Sequence, residues 1–455
     1  MSPPRSDKVF ALAATGARSL GRLALAAGVA RALGAEAFGT YALLLVLETV
    51  VTTLVACRAA APLTTIAPGL SPIEAERLYG WALARQGADL RRGGALSLLL
   101  APLALLALPA AVVGGYGLSL IFTCAARAPR GWRLATFGAQ RVFWGELLAV
   151  VPAFAALLVG ASLGGLYLAL ALGGALALGV LWAPSSAALS AHVEAERMGS
   201  AMLWGSLGYA ACSRVQPFVL GAVHGLVQVA NFAGALTLLG PLRVLSAAVD
   251  VVLRPRLARV RAEPRAARLL LRTALGLQLA GGVIAGICMA LLSERLSEWV
   301  FGASLTGVAQ LGLLATVYVT LEAVGSTLVV GLQVSRGAAG AQQATRLRLG
   351  LSVASLVAVV PACAFGGAAG ALAALAVGEL VFAGAAACAL AKSSPRRVGG
   401  PGQLLRELGG IDAFGAAQAD DAGQEGLGGL APQILKLRGW VPPLPLASAS
   451  DEGRP

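Results

Sequence analysis

The sequence predicts an all-α integral membrane protein with twelve transmembrane helices and both termini on the cytoplasmic side. Three observations predict it: six long apolar stretches, a charge-poor break midway along each, and arginine clusters confined to the gaps between stretches. The stretches cover residues 10–57, 93–126, 142–182, 200–253, 269–335 and 345–391. A bilayer core needs ~20 apolar residues per helix, so each stretch reads as a hairpin that crosses and returns. Composition agrees: 57% of the 455 residues are hydrophobic, 13% are charged, and the mean hydropathy is +0.78. That charged fraction is about half the globular average, so one polytopic domain is expected rather than several soluble ones.

The lysines and arginines set the orientation. Of the 35, two precede residue 9, five lie in 58–92, four in 127–141, one in 183–199, seven in 254–272, three in 336–348 and seven after 391. The opposite side receives only Arg295, and Arg18, Arg22, Arg31, Arg214 and Arg243 fall within spans. Cytoplasmic loops retain positive charge, which places those 29 residues and both termini inside. The net charge of +13 is therefore mostly a topology signal. Anionic lipid headgroups would favour it, and no nucleic-acid partner is expected.

Taken in order, the mid-stretch breaks are Gly34 to Gly39, Gly114 and Gly115, Gly160 to Gly165, Ala222 to Gln228, Glu294 to Gly302, and Gly366 to Gly370. Spans 2 (about 38–57) and 8 (about 227–253) are clear. The stretch 93–126 is too long for one helix and short for two, but the arginine-bearing gaps on either side require an even number of crossings. Span 4 is therefore expected to continue past Arg127 toward Gly138, with Arg127 and Arg130 snorkelling to the headgroups. Between spans 2 and 3, residues 71–92 mix acidic, basic and apolar side chains at helical spacing, as in an amphipathic helix lying on the membrane. The arginine-rich 254–268 occupies the equivalent place between the halves. The first segment holds Arg18 and Arg22 and no small-residue cleavage pattern, so no cleavable signal is expected. Beyond 391 the chain turns rich in Gly, Pro, Ala and Ser, and 392–455 reads as a disordered cytoplasmic tail with short helical tendencies at 403–408 and 432–438.

A faint internal repeat aligns Phe38-Gly-Thr-Tyr-Ala42 with Val229-Ala-Asn-Phe-Ala233, and sets Arg22 beside Arg214. Six spans followed by six matching ones is a common transporter plan. The stretch Ala30-Arg-Ala-Leu-Gly-Ala-Glu-Ala-Phe-Gly-Thr-Tyr-Ala-Leu43 resembles the opening of the polysaccharide exporters (O-antigen flippase type) of the multidrug/oligosaccharidyl-lipid/polysaccharide (MOP) superfamily. There the first helix ends in Ala-Arg-x-Leu-Gly-x-Glu-x-Phe-Gly-x-Tyr-Ala, and this chain has Ala35 where Pro is usual. Val251-Val-Leu-Arg-Pro-Arg-Leu-Ala258 and Trp299-Val-Phe-Gly302 resemble the same family. The resemblance implies a MATE/MOP-like fold with two six-helix lobes, 1–199 and 200–391, around a central cavity. It also implies movement of lipid-linked saccharides across the inner membrane, together with other polysaccharide-assembly proteins.

Charged residues within spans are the site candidates, because a charge at depth costs at least ~2.5–3.5 kcal/mol and normally faces a cavity or a partner. Arg18 and Arg22, four apart, share one helix face. Either they form an anion clamp whose guanidinium forks match phosphate oxygens, or span 1 starts later and they anchor at headgroups. Arg214, three residues before Pro217, is the second-half candidate for the same anion; structural pairing with an acid on a neighbouring helix is the other reading. Glu48 either neutralises a span 1 arginine or takes up a coupling proton. Asp250, two turns from Arg243, reads as its local charge balance. Glu146, Glu322 and Glu379 read as helix-packing partners or end residues. Matches such as Gly160xxxGly164 permit close helix approach but are expected by chance among 58 glycines. Six scattered cysteines with no CxxC spacing support neither a disulfide framework nor a zinc site. His192 and His224 are the only histidines, so no metal or cofactor is expected.

These residues favour a flippase for a polyprenyl-pyrophosphate-linked oligosaccharide, working by alternating access. A multidrug/cation antiporter of the same superfamily would need an acid-dominated cavity. A membrane glycosyltransferase or ligase would need acids in a long outer loop, and the acids near the short outer breaks are Glu36, Glu294 and Glu298. An enzyme is therefore not expected.

Overall fold

The computed structural model describes residues 5–60, 62–63, 67, 70–105, 108–136, 138–183, 195–196, 199–200, 203, 214–260, 263–302, 305, 307–336 and 338–393. Residues 394–455 of the tail, with His192 and Cys212, lie outside that set. Among the described residues there is no strand. The helices are α1 (Arg5–Val55), α2 (Pro72–Leu105), α3 (Ala110–Ala125), α4 (Arg127–Ala135), α5 (Ala139–Leu158) and α6 (Leu163–Leu181) in the first half. The second half holds α7 (Gln216–His224), α8 (Leu226–Leu238), α9 (Gly240–Arg259), α10 (Pro264–Phe301), α11 (Val308–Arg336) and α12 (Ala338–Ser393), and a π turn, Ala56–Ala60, follows α1. By length and apolarity seven described helices can cross a membrane, or eight if the bent pair α8 and α9 is one span. Two of these, Gly16–Ala60 and Gln342–Ala391, are 45 and 50 residues long and contain the breaks at Gly34 and Gly367. This is a multi-pass membrane protein.

Left-handed glycines make the hairpins. Gly34 (φ 87), Gly160 (φ 74), Gly225 (φ 82), Gly302 (φ 72) and Gly367 (φ 56) fall in five of the six expected breaks. A side chain with a Cβ is disfavoured there, whereas glycine adopts this backbone freely and lets a helix reverse within one residue. Gly34 (ψ 177) and Gly225 (ψ 174) have nearly the same conformation and sit four residues before Phe38 and Val229. The faint repeat is thus two copies of one turn.

The remaining break differs. Gly114 and Gly115 lie inside α3, and the chain turns instead at Pro109, the residue before α3. Proline lacks an N–H and suits a helix start, whereas Gly115 serves packing: a Cβ there would press on the Gly164 carbonyl and the Tyr167 side chain. The fourth span does continue past Arg127, since Ala126 is right-handed helical and joins α3 to α4. The two arginines expected at headgroups turn inward instead; Arg130 donates to Glu146 at 2.7 Å.

The amphipathic helix over 71–92 exists, but it is covered by protein. Ser71 and Glu74 form a capping box, with the Ser71 hydroxyl donating to Glu74 Oε2 at 2.7 Å. Leu78, Tyr79, Ala82, Gln86 and Asp89 are buried. Tyr79 stacks on Trp132 at 4.9 Å and donates to the Ala183 carbonyl, and Gln86 bridges Ala125 and Ala128. This helix runs unbroken into the next apolar stretch. The corresponding 254–268 is no separate helix, because α9 ends at Arg259 and α10 starts at Pro264.

In the first half α1 packs on α5, α3 on α6, and α5 on α6; in the second, α10 packs on α11 and α11 on α12. The halves meet at the glycine end, chiefly where α1 crosses α8. A Cβ on Gly39 would collide with the Leu226 carbonyl. Phe38 and Phe301, both fully buried, lie 5.8 Å apart between ring centres. Arg31 donates to the Glu298 and Trp299 carbonyls at the end of α10, where a cation suits the helix dipole. This end is closed. Large side chains such as Leu158, Leu291, Val357 and Phe365 are exposed, as lipid-facing residues are.

Candidate functional site

Two adjoining cavities open behind this closure. The larger, 320 Å³, lies between the halves, and its lining runs from Ala26, Ala42 and Phe232 toward Ser19, Thr49 and Val244. Among the described residues its charged lining consists of Arg22, Arg214 and Arg243, and none of its lining is acidic. The smaller, 120 Å³, sits inside the first half, lined by Arg18, Arg22, Tyr41, Glu48, Ser119, Thr123, Glu146 and Tyr167 among others. Arg22 belongs to both walls.

Arg22 and Arg243 are placed by their helices and held by carboxylates outside the larger cavity. Arg22 on the first limb of α1 donates to Glu48 on the second limb at 3.2 Å, the two limbs being folded together by Gly34. Arg243 on α9 donates to Glu322 on α11 at 3.0 Å and lies 6.0 Å from the Tyr318 ring centre. Arg214 lies two residues before α7, in which Pro217 occupies a first-turn position where no N–H is missed. An acid behind each of Arg22 and Arg243 lowers the cost of burying it on the cavity wall.

The candidates from sequence separate as follows. Arg22 and Arg214 share the larger cavity. Arg18 does not line it; it approaches Glu146 at 3.9 Å in the smaller one. Arg243 and Asp250 do not balance each other: Asp250 accepts from Ser326 and Thr327, while Arg243 reaches Glu322. Two turns along α9 put both on one side, yet α11 supplies a partner to each. Glu146 takes both Arg18 and Arg130, and Glu379 pairs with Arg348 at 3.5 Å. Sequence reasoning missed Glu146, Arg127 and Arg130 as members of the inner cluster. The usable signal was Ser119-x-x-x-Thr123-x-x-x-Arg127, one polar stripe at i, i+4, i+8 in an otherwise apolar helix.

No protein-family model and no curated protein matches the chain. Solved structures do. An inward-facing multidrug resistance MATE family transporter of the MOP superfamily superposes with a TM-score of 0.66 at 12% identity, over 84% of this chain and 96% of that one. The lipid II flippase MurJ in an inward closed conformation gives 0.63 at 11% identity, over 84% and 87%. The chain has their fold. A MOP superfamily transporter from Pyrococcus furiosus, for which a reverse polarity of the binding pocket suggests a different function, gives 0.61 at 13% identity, over 84% and 93%. Within this fold the halves meet around a cavity whose charged lining, among the described residues, is all arginine.

Proposed function

We propose that the chain is a MOP-type flippase of the inner membrane, moving a polyprenyl-pyrophosphate-linked oligosaccharide by alternating access for cell-surface polysaccharide assembly. The observation that carries the reading is the larger cavity, with three guanidinium groups and, among the described residues, no carboxylate on its wall. A diphosphate offers paired oxygens at the spacing of a guanidinium fork, and in a water-poor cavity each such charge-assisted bond is strong. Arg22, Arg214 and Arg243 hold the diphosphate, with Arg18 supporting from the adjoining chamber and Glu48 and Glu322 balancing charge. The lipid tail stays in the bilayer while the glycan fills the space between the lobes.

In this reading residues 1–199 and 200–391 are six-helix lobes, the termini are cytoplasmic, and the closed glycine end faces outward. Headgroup binding repays part of the cost of parting Phe38 from Phe301 and Arg31 from the α10 carbonyls, so the loaded protein favours the outward-open state. The work is differential binding, not covalent chemistry.

A cation antiporter is the rival reading, and the same wall opposes it: Glu48 and Glu322 already receive Arg22 and Arg243. Binding by the purified full chain separates the two. A lipid-linked diphosphate saccharide should bind and be displaced by inorganic pyrophosphate, while a lipophilic organic cation should not bind. Binding of the cation alone would overturn the flippase reading.

A further inference from the structure

The smaller cavity poses a separate question of charge. Four arginines, Arg18, Arg22, Arg127 and Arg130, gather around two carboxylates, Glu48 and Glu146. Glu146 is shared by Arg18 and Arg130, and Glu48 is taken by Arg22. Arg127 lies within Coulombic reach of Arg18, Arg22 and Arg130, with Glu48 as the acid facing it. Its Nε is buried and has no hydrogen-bond partner among the described residues. The cluster therefore carries an excess of positive charge inside a helical bundle, where like charges repel strongly and an uncompensated cation is costly.

The cavity beside this cluster is built to receive the missing charge. Ser119 and Thr123 on α3 and Tyr41 and Tyr167 line it with hydroxyl groups, next to the guanidinium groups of Arg18 and Arg22. Arg127 continues the stripe of Ser119 and Thr123 one turn further along the same helical path. A cavity of 120 Å³ is several times what one water needs, so an ion with part of its hydration shell fits. Among the described residues no free carboxylate is left there to repel an anion, since Glu48 and Glu146 are engaged by arginines.

We propose that the chamber lined by Arg18, Arg22, Ser119 and Thr123 is a resident binding site for a small inorganic anion of the chloride or phosphate class. The anion neutralises the excess arginine charge and holds Arg22 in its pair with Glu48, between the two cavities. The proposal does not rest on the substrate assigned to the larger cavity.

The test uses the detergent-solubilised full chain in sodium chloride, in sodium phosphate, and in sodium gluconate, whose anion is too large for the chamber, at matched ionic strength. Chloride or phosphate should raise the thermal unfolding midpoint with a saturating concentration dependence, as binding to the folded state requires. Arg127→Gln, which lowers the excess charge, should lose that rise. Arg214→Gln, in the larger cavity, should keep it. Excess line broadening of the chloride NMR signal, removed by bromide or phosphate, gives a readout on the unaltered chain should Arg127→Gln fail to fold. Midpoints equal in all three salts, or a rise that is linear and never saturates, would overturn the proposal. Loss of the rise in Arg214→Gln would overturn it too, by moving the anion into the larger cavity. Loss of diphosphate binding with the anion response intact would instead fall on the flippase reading alone.

Discussion

Arg22 and Glu48 meet at 3.2 Å on the wall shared by the two cavities, the arginine side chain 42% exposed and the glutamate 15%. The arginine can therefore face a headgroup in one cavity while its acid stays in the other. This favours the charge-neutralising role for Glu48. Glu48→Gln leaves Arg22 without its acid at depth, a loss of about 1–2 kcal/mol. That is below the ~3–5 kcal/mol of a fully buried pair because the arginine is partly solvated. The expected outcome is a lower unfolding midpoint and lower membrane abundance with transport still dependent on the proton gradient. Normal abundance with that dependence lost would assign Glu48 a coupling proton instead.

Removing the cavity cations should act on transport rather than folding. Gln at Arg22, Arg214 or Arg243 keeps polarity but loses charge and fork. Export of lipid-linked saccharide in cells should fall at least tenfold while the protein remains in the membrane, and Lys should restore it only in part. Three Gln variants with full export would reduce these arginines to structural anchors.

At the closed end, Arg31→Ala removes the donor to the Glu298 and Trp299 carbonyls and should shift the population toward the outward-open state. A cysteine replacing Phe38, buried in the closed form, would then react faster with an impermeant thiol reagent from outside. An unchanged rate would show that aromatic packing alone keeps this end shut.

Topology is read by two positions. In a cysteine-free background, Val159→Cys beside Gly160 should be labelled from outside the cell, and Arg77→Cys on α2 only once the inner face is exposed; both positions are solvent-accessible. The reverse pattern would invert the assigned orientation.

Gly34→Ala and Gly225→Ala should each cost about 1–3 kcal/mol, because a Cβ disfavours the extended positive-φ backbone at both. Nothing lies within 4 Å of a Cβ at either position, so the cost is purely conformational. Near-equal drops in the unfolding midpoint would mark the two turns as equivalent, and a markedly unequal pair would break that equivalence.

Much of this layout is legible in the residues because its causes are local. A left-handed turn needs glycine, and arginine is retained on one side, so five breaks and the alternation of gaps stand in the sequence. The second break was misplaced for a physical reason: Gly114 and Gly115 resemble a turn, but Gly115 is there for contact with α6, which only packing reveals. The same limit applies to charge. Helical spacing puts Arg243 and Asp250 on one side of α9, yet partners are chosen across helices, and α11 supplies both. Arg22 and Arg214 could be paired through the repeat. The inward turn of Arg130 depends on where Glu146 points, and that of Arg127 on Glu48 across the bundle.

Asp89 is fully buried, with Arg58 at 3.1 Å and Arg85 at 3.9 Å, while Arg85 also reaches Glu196 at 3.2 Å. That knot clamps α2, about 51 Å long as a continuous helix, to the π turn and to residue 196. A spectroscopic label on the outer face of α2, at Arg77 for instance, would ride on a rigid mast instead of a wagging surface helix. Distances from it to a second label on the other half would then measure the rotation of one half against the other directly, with little blurring from local motion.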